Sequence, residues 1–284
     1  MLRSATLALL VTGLVTSSAL AALPASDTAA DPTYNNGWTD GSNGGFGFDP
    51  WAITTNNDNI DHFAGTFIGD AGASGVNPAI NTGGRAFGMY ANVIGNTSGA
   101  SVSAQRNFTG GPLQVGQSFS LDIALNYRDG IKGIILNGPS PFGNQLGAFS
   151  TGGFPESSTL SLYDLVTLQS VNYTFDIYDP NAIYHLTLSM IDLTHLQANL
   201  TLTTLSGTQD IVTLTVNSAP VATGFNLFYG STAPSYPQDD LFFNNFAVTG
   251  SPIPEPSTLA LLTAGAAAGF YRLRRKTRQN ASAP

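Results

Sequence analysis

The feature that most constrains the fold is an alternation of apolar and polar residues with a period of two, which recurs through the middle of the chain. The apolar phases of the clearest segments are Phe119, Leu121, Ile123, Leu125 and Tyr127; Val171, Tyr173, Phe175 and Ile177; Tyr184, Leu186, Leu188 and Met190; and Phe225, Leu227 and Tyr229. Such alternation is typical of antiparallel strands that bury one face. Separated by Gly, Pro and Asn, these segments predict an all-β fold, a jelly-roll-like β-sandwich in one domain over 34–250.

The turns between the strands are predicted from similar signals. Leu200 to Leu202 and Val212 to Val216 flank the segment Ser206-Gly207-Thr208-Gln209-Asp210, which reads as a turn between antiparallel strands.

Cysteine usage and composition exclude several classes of protein. The chain has no cysteine among its 284 residues, which excludes disulfides, Cys-based zinc sites and thiol catalysis. Charged residues make up only 10%, while 31 Gly, 17 Phe and 10 Tyr are present. A chain this rich in aromatic residues differs from a disordered one, so the composition favours a packed domain.

The distribution of charge argues against nucleic-acid binding. Between 34 and 250 the basic residues are Arg85, Arg106, Arg128 and Lys132, and fifteen acidic residues accompany them. This region therefore carries a net charge of about −11 and should repel a polyanion.

The N-terminus has the three parts of a secretory signal peptide. Arg3 supplies the positive charge, an apolar run extends from Leu7 to Val15, and Ala19 and Ala21 place small residues at the −3 and −1 positions. This pattern predicts a signal helix over 1–21 that is cleaved after Ala21. Residues 22–33 are expected to be a linker.

The C-terminus combines a Pro-rich linker over 251–256 with a transmembrane-like helix and basic tail over 257–278. The helix has thirteen uncharged residues, Leu259 to Tyr271, and would span roughly 20 Å, less than the roughly 30 Å of a bilayer core. It is followed by a basic cluster consisting of Arg272, Arg274, Arg275, Lys276 and Arg278. Such a cluster stays in the cytoplasm, which places 34–250 on the far side of the inner membrane.

The order of these C-terminal parts resembles the PEP-CTERM sorting signal of Gram-negative bacteria. The resemblance covers about the last thirty residues and rests on Pro254-Glu255-Pro256, the apolar helix and the basic cluster. It implies that Pro254, Glu255 and Pro256 are the recognition motif of an exosortase, a membrane-embedded protease, and that the basic cluster is the stop signal. The expected partners are the exosortase and the export machinery, with transient anchoring in the inner membrane.

The region between the two signals is loosely similar to concanavalin A-like lectin and glucanase sandwiches. The similarity rests on strand pattern and composition, so it implies a fold and not an activity. A glucanase of this type needs two carboxylates that face the substrate, and the E-x-D-x-x-E pattern is absent. Glu156 is the only glutamate between 34 and 250, and the nearest aspartate pairs are Asp176/Asp179 and Asp239/Asp240. We therefore expect no enzyme activity, with a polysaccharide-active hydrolase as the alternative.

Metal and ligand residues are proposed from loop composition. No cofactor is required by any motif, but calcium prefers clustered carboxylate and carbonyl oxygens, and these occur at Asp40, Asn43, Asp58 and Asp61. Asn and Asp also occupy turns for their backbone conformation alone. A metal pair formed by His185 and His195 is a further alternative to two separate, solvent-facing histidines.

Trp38 and Trp51 are the candidate sugar-stacking residues, since aromatic side chains beside Asn and Asp suit pyranose rings. The alternative is that both close one end of the sandwich. Together these patterns predict an exported protein of the cell surface, extracellular matrix or biofilm. Its sandwich is expected to be a carbohydrate-binding module for extracellular polysaccharide, or a structural module.

Overall fold

The fold is taken from a computed structural model of the full chain. It describes ten stretches of the chain: 22–58, 60–94, 99–127, 130–138, 145–152, 157–164, 169–175, 179–217, 222–231 and 240–250. The signal helix and the C-terminal helix expected from the sequence lie outside these residues, as do the sorting motif and the basic tail. Within the described stretches, no helix combines the length and apolar character needed to span a bilayer.

In the described stretches, fifteen strands form two antiparallel sheets, as the sequence predicts. Sheet one has eight strands, in the spatial order β13 (Gly207–Asn217), β12 (His195–Thr204), β11 (Ile183–Met190), β6 (Ser118–Leu125), β15 (Asp240–Thr249), β4 (Ala86–Val93) and β3 (His62–Gly69), with β1 (Ala25–Asp27) paired to β15. Sheet two has seven strands, in the order β10 (Gln169–Phe175), β9 (Ser157–Asp164), β8 (Gln145–Gly152), β7 (Ile131–Asn137), β14 (Gly224–Ser231), β5 (Ala100–Asn107) and β2 (Ala52–Asn56). Three 3₁₀ helices cover Pro32–Asn36, Ala71–Ser74 and Pro78–Ile80.

The predicted apolar phases face each other between the sheets. Phe119, Leu121 and Ile123 of β6 are fully buried, and so are Phe225 and Leu227 of β14. Neighbouring residues in each strand point away from the core, as the period of two requires. The burial of one phase on both sheets confirms the sandwich.

Two alternating segments differ from the expectation. Tyr127 lies beyond the end of β6 and is 40% exposed, and Val171 and Tyr173 of β10 are 38% and 40% exposed although their phase points inward. Val171 and Tyr173 are exposed because β10 is the last strand in the order of sheet two. Ile177 lies outside the described residues.

The predicted turn after β12 is tighter than the sequence suggested. Thr204 pairs with Gly207, so the connection consists of Leu205 and Ser206. Thr208, Gln209 and Asp210 belong to β13, because Gly207 adopts a φ of 131° that lets the chain turn early.

The segment 22–33 is part of the sandwich, and the expectation of a linker there is wrong. Ala25, Ser26 and Asp27 pair with the last strand, β15. β15 has its first half beside β4 and its second half beside β1, so β1 completes an edge that would otherwise lack a partner. Ala22, whose N–H donates to the Pro112 carbonyl at 2.9 Å, is also buried.

A buried polar network holds this N-terminal segment to sheet two. The Arg106 guanidinium on β5 donates to Oδ2 of Asp27 at 2.5 Å, to Oδ1 of Asn43 at 2.8 Å and to the carbonyl of Asp49 at 2.6 Å. Tyr34 donates its hydroxyl to the same Asp27 oxygen at 2.5 Å. Both charged side chains, Arg106 and Asp27, are fully buried. Through its three acceptors, the Arg106 guanidinium joins three separate segments of the chain.

Burial controls the protonation of this network. It raises the pKa of Asp27 to about 6, although the Tyr34 hydroxyl and the Arg106 charge both lower it. Burial also raises the pKa of Tyr34 and lowers that of Arg106. Desolvation therefore has the largest effect on the pKa of the Asp27 carboxyl, as expected for a charge removed from water.

The last strand contains a bulge at Asn244 and Asn245. Asn245 has a φ of 56°, the one positive value among the described residues other than glycine, and the pairing of β15 with β6 shifts between Asn244 and Ala247. Asn244 is fully buried and bonds to the backbone of Ala29, Ile80 and Arg85. The buried amide of Asn244, beside the bulge, thus fixes two loops on the outer side of sheet one.

Candidate functional site

The outer face of sheet two presents a neutral polar surface. Strand register places Thr54, Ser103 and Phe228 in one row across β2, β5 and β14. The next row crosses four strands and consists of Asn56, Ser101, Gly230 and Ile131. Four strands about 4.8 Å apart make this row about 14 Å long. All outward positions of these four strands, which are described in full, carry uncharged side chains.

A groove of about 280 Å³ lies across these two rows. Its lining residues are Thr54, Asn56, Ser101, Val102, Ser103, Ile131, Phe228, Tyr229 and Gly230. Its volume is near the lower end of the range for small-molecule sites.

Gly230 forms the floor of the groove because it has no side chain. A Cβ placed there would find its nearest neighbours, Cβ of Ser101 and the carbonyl oxygen of Ala100, at 3.8 and 3.9 Å. These are ordinary contact distances, so the position has room for a side chain that the sequence does not supply. The missing side chain opens the space between Ser101 and Ile131.

The chemistry of the lining suits a neutral, hydroxylated ligand. Thr54, Ser101, Ser103 and Asn56 offer hydroxyl and amide groups that both donate and accept hydrogen bonds. Phe228 is half-buried and adds an apolar ring on an otherwise polar face. None of the nine lining residues is an acid or a base, so the groove provides hydrogen bonding and an apolar contact without a charge.

A buried lysine lies on the other side of the sheet from the groove. Lys132 is fully buried on the inward phase of β7. Its Nζ donates to the Tyr127 carbonyl at 2.9 Å and is 4.5 Å from the centre of the Tyr229 ring. Lys132 therefore stabilises the interior beneath the groove and does not present its charge at the outer surface.

The two predicted sugar-stacking residues are in the core, so that prediction is wrong. Trp38 and Trp51 are each 1% exposed, and their ring centres lie 4.9 Å apart. They pack edge-to-face against Phe87 and Phe225, while Trp51 Nε1 donates to the Tyr34 hydroxyl at 3.0 Å. Both tryptophans belong to the buried aromatic core of the sandwich, which agrees with the alternative interpretation that they have a packing role.

The predicted metal ligands form hydrogen bonds within the protein. Asp40 Oδ1 accepts the Ile53 N–H at 2.9 Å, and Asn43 Oδ1 accepts from Arg106. Asp58 Oδ1 accepts the N–H groups of three residues, 60, 61 and 62, and these bonds lower the pKa of Asp58 to about 2. In the described part of the chain no three His, Asp or Glu side chains come together. Calcium binding at Asp40, Asn43, Asp58 and Asp61 stays a prediction.

The structure keeps the two candidate metal histidines apart. His185 on β11 pairs with Thr201 on β12, six residues along that strand from His195 and hence about 20 Å away. His185 Nδ1 lies 2.7 Å from Asp122 Oδ1, and His195 Nδ1 lies 2.7 Å from Asp192 Oδ2. Each histidine therefore has its own carboxylate partner.

The Asp122–His185 pair has further polar partners. Oδ2 of Asp122 accepts from the Asn245 amide at 2.7 Å, and His185 Nε2 lies 3.3 Å from the Thr187 hydroxyl. The hydrogen bond from Asp122 raises the pKa of His185. The cluster fixes the orientation of the imidazole on the outer face of sheet one.

One sequence signal for the groove was available and was missed. In the segment from Phe225 to Tyr229 the inward phase is apolar, yet Phe228 is an aromatic residue on the outward phase. A single apolar residue in that position indicates a binding surface only where neighbouring strands extend it into a larger patch. The pairing of Phe228 with Ser103 and Thr54 depends on strand order, which the sequence does not reveal.

The fold and the groove define this chain as a two-sheet β-sandwich with a neutral surface site. Beyond the sandwich, residues 252–276 match the PEP-CTERM protein-sorting motif. This match contains Pro254, Glu255 and Pro256 and most of the basic cluster, and it confirms the resemblance seen in the sequence. The motif implies export, processing by an exosortase and C-terminal anchoring during sorting to the surface.

Comparison with solved structures finds lectin-like β-sandwich folds. The Ca²⁺-bound VIP36 exoplasmic/lumenal domain has 10% identity and a TM-score of 0.39, over 59% of this chain and 80% of that one. The receptor-binding domain of a botulinum neurotoxin C/D mosaic serotype has 11% identity and a TM-score of 0.38, over 76% of this chain and 46% of that one. No curated protein sequence matches.

Proposed function

We propose that this protein is sorted by an exosortase to the cell surface or extracellular matrix, where its sandwich binds a neutral glycan without cleaving it. The observation that carries the binding part is the uncharged groove on sheet two, with its hydroxyl and amide groups around Phe228. The observation that supports the sorting part is the motif over 252–276. The two parts rest on different residues and are tested separately.

Neutral glycans fit the groove for two reasons. Sugar hydroxyls need partners that donate and accept, which Ser, Thr and Asn side chains supply, and the apolar face of a pyranose ring suits contact with Phe228. In addition, the net charge of −8 on the whole chain disfavours acidic polysaccharides. The ligand class proposed is therefore a neutral polysaccharide of the extracellular matrix.

Binding without turnover is the proposal because hydrolysis of a glycosidic bond uses a pair of carboxylates. The groove lining contains none. The hydrolase alternative predicts product release, whereas the binding proposal predicts an unchanged glycan.

A glycan array followed by calorimetry on the best neutral glycan tests the binding part. Phe228→Ala should weaken binding tenfold or more, because truncating a central aromatic contact costs over about 1.4 kcal/mol. Gly230→Val should abolish binding by filling the floor, while leaving the melting temperature unchanged or raised. The matched control is Phe46→Ala, which removes a phenylalanine that is 62% exposed elsewhere.

The outcomes separate the candidate functions. Binding lost in Phe228→Ala and Gly230→Val but kept in Phe46→Ala supports the proposal. Binding that all three variants retain places the glycan elsewhere, and release of reducing ends supports the hydrolase. No binding to any glycan leaves a structural role.

Mass spectrometry of the exported protein tests the sorting part. Processing should remove the residues after the motif, so the mature chain should lack the terminal Ala-Ser-Ala-Pro. Substituting Glu255 by Gln should leave the full tail in place and retain the protein in the inner membrane. A surface-located chain that still ends at Pro284 would contradict the proposal.

A further inference from the structure

The outer face of sheet one carries a chain of hydrogen bonds that runs through His185 of β11. Its Nδ1 lies 2.7 Å from Oδ1 of Asp122 on the neighbouring strand β6, and its Nε2 lies 3.3 Å from the hydroxyl of Thr187, two residues further along β11. The imidazole thus stands between a carboxylate and a hydroxyl, one at each nitrogen. The strands around this cluster, β6, β12 and β15, and the loop over 70–85 lie entirely within the described stretches.

The carboxylate sets the direction of these hydrogen bonds. A carboxylate only accepts, so Nδ1–H of His185 donates to Asp122. In the neutral imidazole the other nitrogen, Nε2, is then an acceptor, and the Thr187 hydroxyl donates to it. The proton of this hydroxyl therefore points at a base that a third group orients, which is the arrangement that activates a nucleophile.

A backbone irregularity holds the carboxylate in this position. Asn245 donates its amide to Oδ2 of Asp122 at 2.7 Å, and its own Oδ1 accepts from the Thr82 hydroxyl at 3.0 Å. Asn245 lies in the bulge of β15 and has a φ of 56°, a left-handed conformation that residues other than glycine adopt infrequently. Bulges are enriched next to active sites, where they re-aim a side chain. Because the bulge directs Asn245 to Asp122, both oxygens of that carboxylate have a fixed partner.

The neighbours of Thr187 across the sheet are hydrogen-bond donors. Strand register places Asn199 of β12 on one side of Thr187 and Ser120 of β6 on the other, and the Cα atoms of opposite residues are about 4.5 or 5.5 Å apart. The Asn199 amide donates one hydrogen bond to the Thr213 hydroxyl at 3.2 Å and has a second N–H to offer. Amide and hydroxyl groups of this kind stabilise the oxyanion that forms in acyl transfer.

We propose that Thr187 and His185 form a site that hydrolyses esters of short acyl groups. The Thr187 oxygen attacks the ester carbonyl carbon while its proton moves to Nε2 of His185, and the released alcohol takes that proton as the ester carbon–oxygen bond breaks. Water then attacks the acyl-threonine and gives one proton to Nε2. That proton returns to the Thr187 oxygen as the carboxylic acid leaves. Asp122 and Asn245 are positioning residues that hold the imidazole.

The exposure of the cluster limits the substrate. The His185 side chain is 45% exposed and that of Asp122 18%, so the site is open and suits a short acyl group, such as acetyl, that projects from a larger molecule. Removal of an acyl group leaves glycosidic bonds intact. This activity is therefore separate from the glycan binding proposed for sheet two, and either one can fail without the other.

Hydrolysis of para-nitrophenyl acetate by the full chain tests the activity. Thr187→Val replaces the hydroxyl by a methyl group of similar size and should lower kcat about a hundredfold or more, as should His185→Gln, whereas Thr187→Ser should retain activity. The matched control is His195→Gln in the other histidine–aspartate pair of this face, and it should leave kcat unchanged. There the Thr194 hydroxyl and the Asp192 carboxylate lie at the same ring nitrogen, so the hydroxyl is not placed at the free base.

Two further measurements assign the roles. A fluorophosphonate probe should add one phosphonyl group to the chain, located at Thr187 by peptide mass spectrometry, and should not label Thr187→Val. Asp122→Asn should lower kcat with little change in KM, because this residue positions the base and does not touch the substrate. Circular dichroism checks that each variant keeps its fold.

Three results would overturn the proposal. The first is a wild-type rate no higher than that of Thr187→Val. The second is a loss in His195→Gln as large as in His185→Gln, which would indicate hydrolysis by any exposed imidazole. The third is a phosphonyl group attached to a residue other than Thr187.

Discussion

Replacing Arg106 by Met should be the most destabilising single change outside the apolar core. The guanidinium donates to Asp27, Asn43 and Asp49 and lies about 5 Å from the rings of Phe48 and Trp51. Methionine fills much of the volume but leaves the Asp27 carboxyl buried without its cation. Breaking a buried pair by removing one partner costs about 3–5 kcal/mol, and for a domain of this size that lowers the melting temperature by roughly 10 °C.

Urea unfolding followed by tryptophan fluorescence measures this cost at the network itself, since Trp51 donates to Tyr34, a member of the network. Far-UV circular dichroism should give the same midpoint if the transition is two-state. Arg106→Lys is the matched variant: it keeps the charge but loses the planar fork, so it should cost about 2 kcal/mol.

A double-mutant cycle with Asp27→Asn isolates the interaction. Arg106→Met leaves the Asp27 charge buried without a partner, and Asp27→Asn removes that charge. The loss of unfolding free energy in the double variant should therefore be smaller than the sum of the two single losses, by more than about 1 kcal/mol. If the two effects add within about 0.5 kcal/mol, or if Arg106→Met costs under 1 kcal/mol, the pair does not hold the N-terminal segment and the reasoning fails.

Three further outcomes follow from the described contacts. The pKa of Asp27 in the folded state, about 6, exceeds the unfolded value of about 3.9. The free energy of unfolding should therefore fall as pH rises from about 4 to 6, and urea titrations of Asp27→Asn should show a flatter dependence. The raised pKa of His185 means that its pairing with Asp122 stabilises the fold below about pH 6.5, and that this stabilisation is lost as pH rises through the folded-state pKa. The melting temperature should therefore fall between pH 6 and 8, and His185→Gln should remove this fall. Finally, adding calcium or EDTA should shift the melting temperature by less than about 2 °C, because Asp40 and Asp58 already accept backbone N–H bonds; a larger rise with calcium would establish the metal site.

The sandwich could be predicted because one side of each strand is buried. The alternation in β6, β11 and β14 follows directly from that burial, and the residues buried in these strands are those of the predicted apolar phases. The exposure of Val171 and Tyr173 could not be predicted, since an edge strand and a central strand have the same alternation. Only the spatial order of strands distinguishes them.

The site could not be predicted for a related reason. Composition suggested Trp38 and Trp51, but a tryptophan next to Gly and Asn occurs both at surfaces and in aromatic cores. The groove residues Thr54, Ser101 and Phe228 are far apart in sequence and meet through antiparallel pairing of β2, β5 and β14. The N-terminal strand was missed because three residues are too few to show a period.

The pairing of β1 with β15 also has a mechanical consequence. The first and last described strands run side by side, with Ala25 opposite Val248, so the chain enters and leaves the sandwich at neighbouring points. β15 is held by β6 along one side and by β4 and β1 along the other. A pull on the C-terminal tail acts along β15 and loads the ladders on both sides in shear, many hydrogen bonds at once rather than one after another. Under the proposed function, a force on the C-terminal side would therefore enter the sandwich through a strand that has paired neighbours along both of its sides.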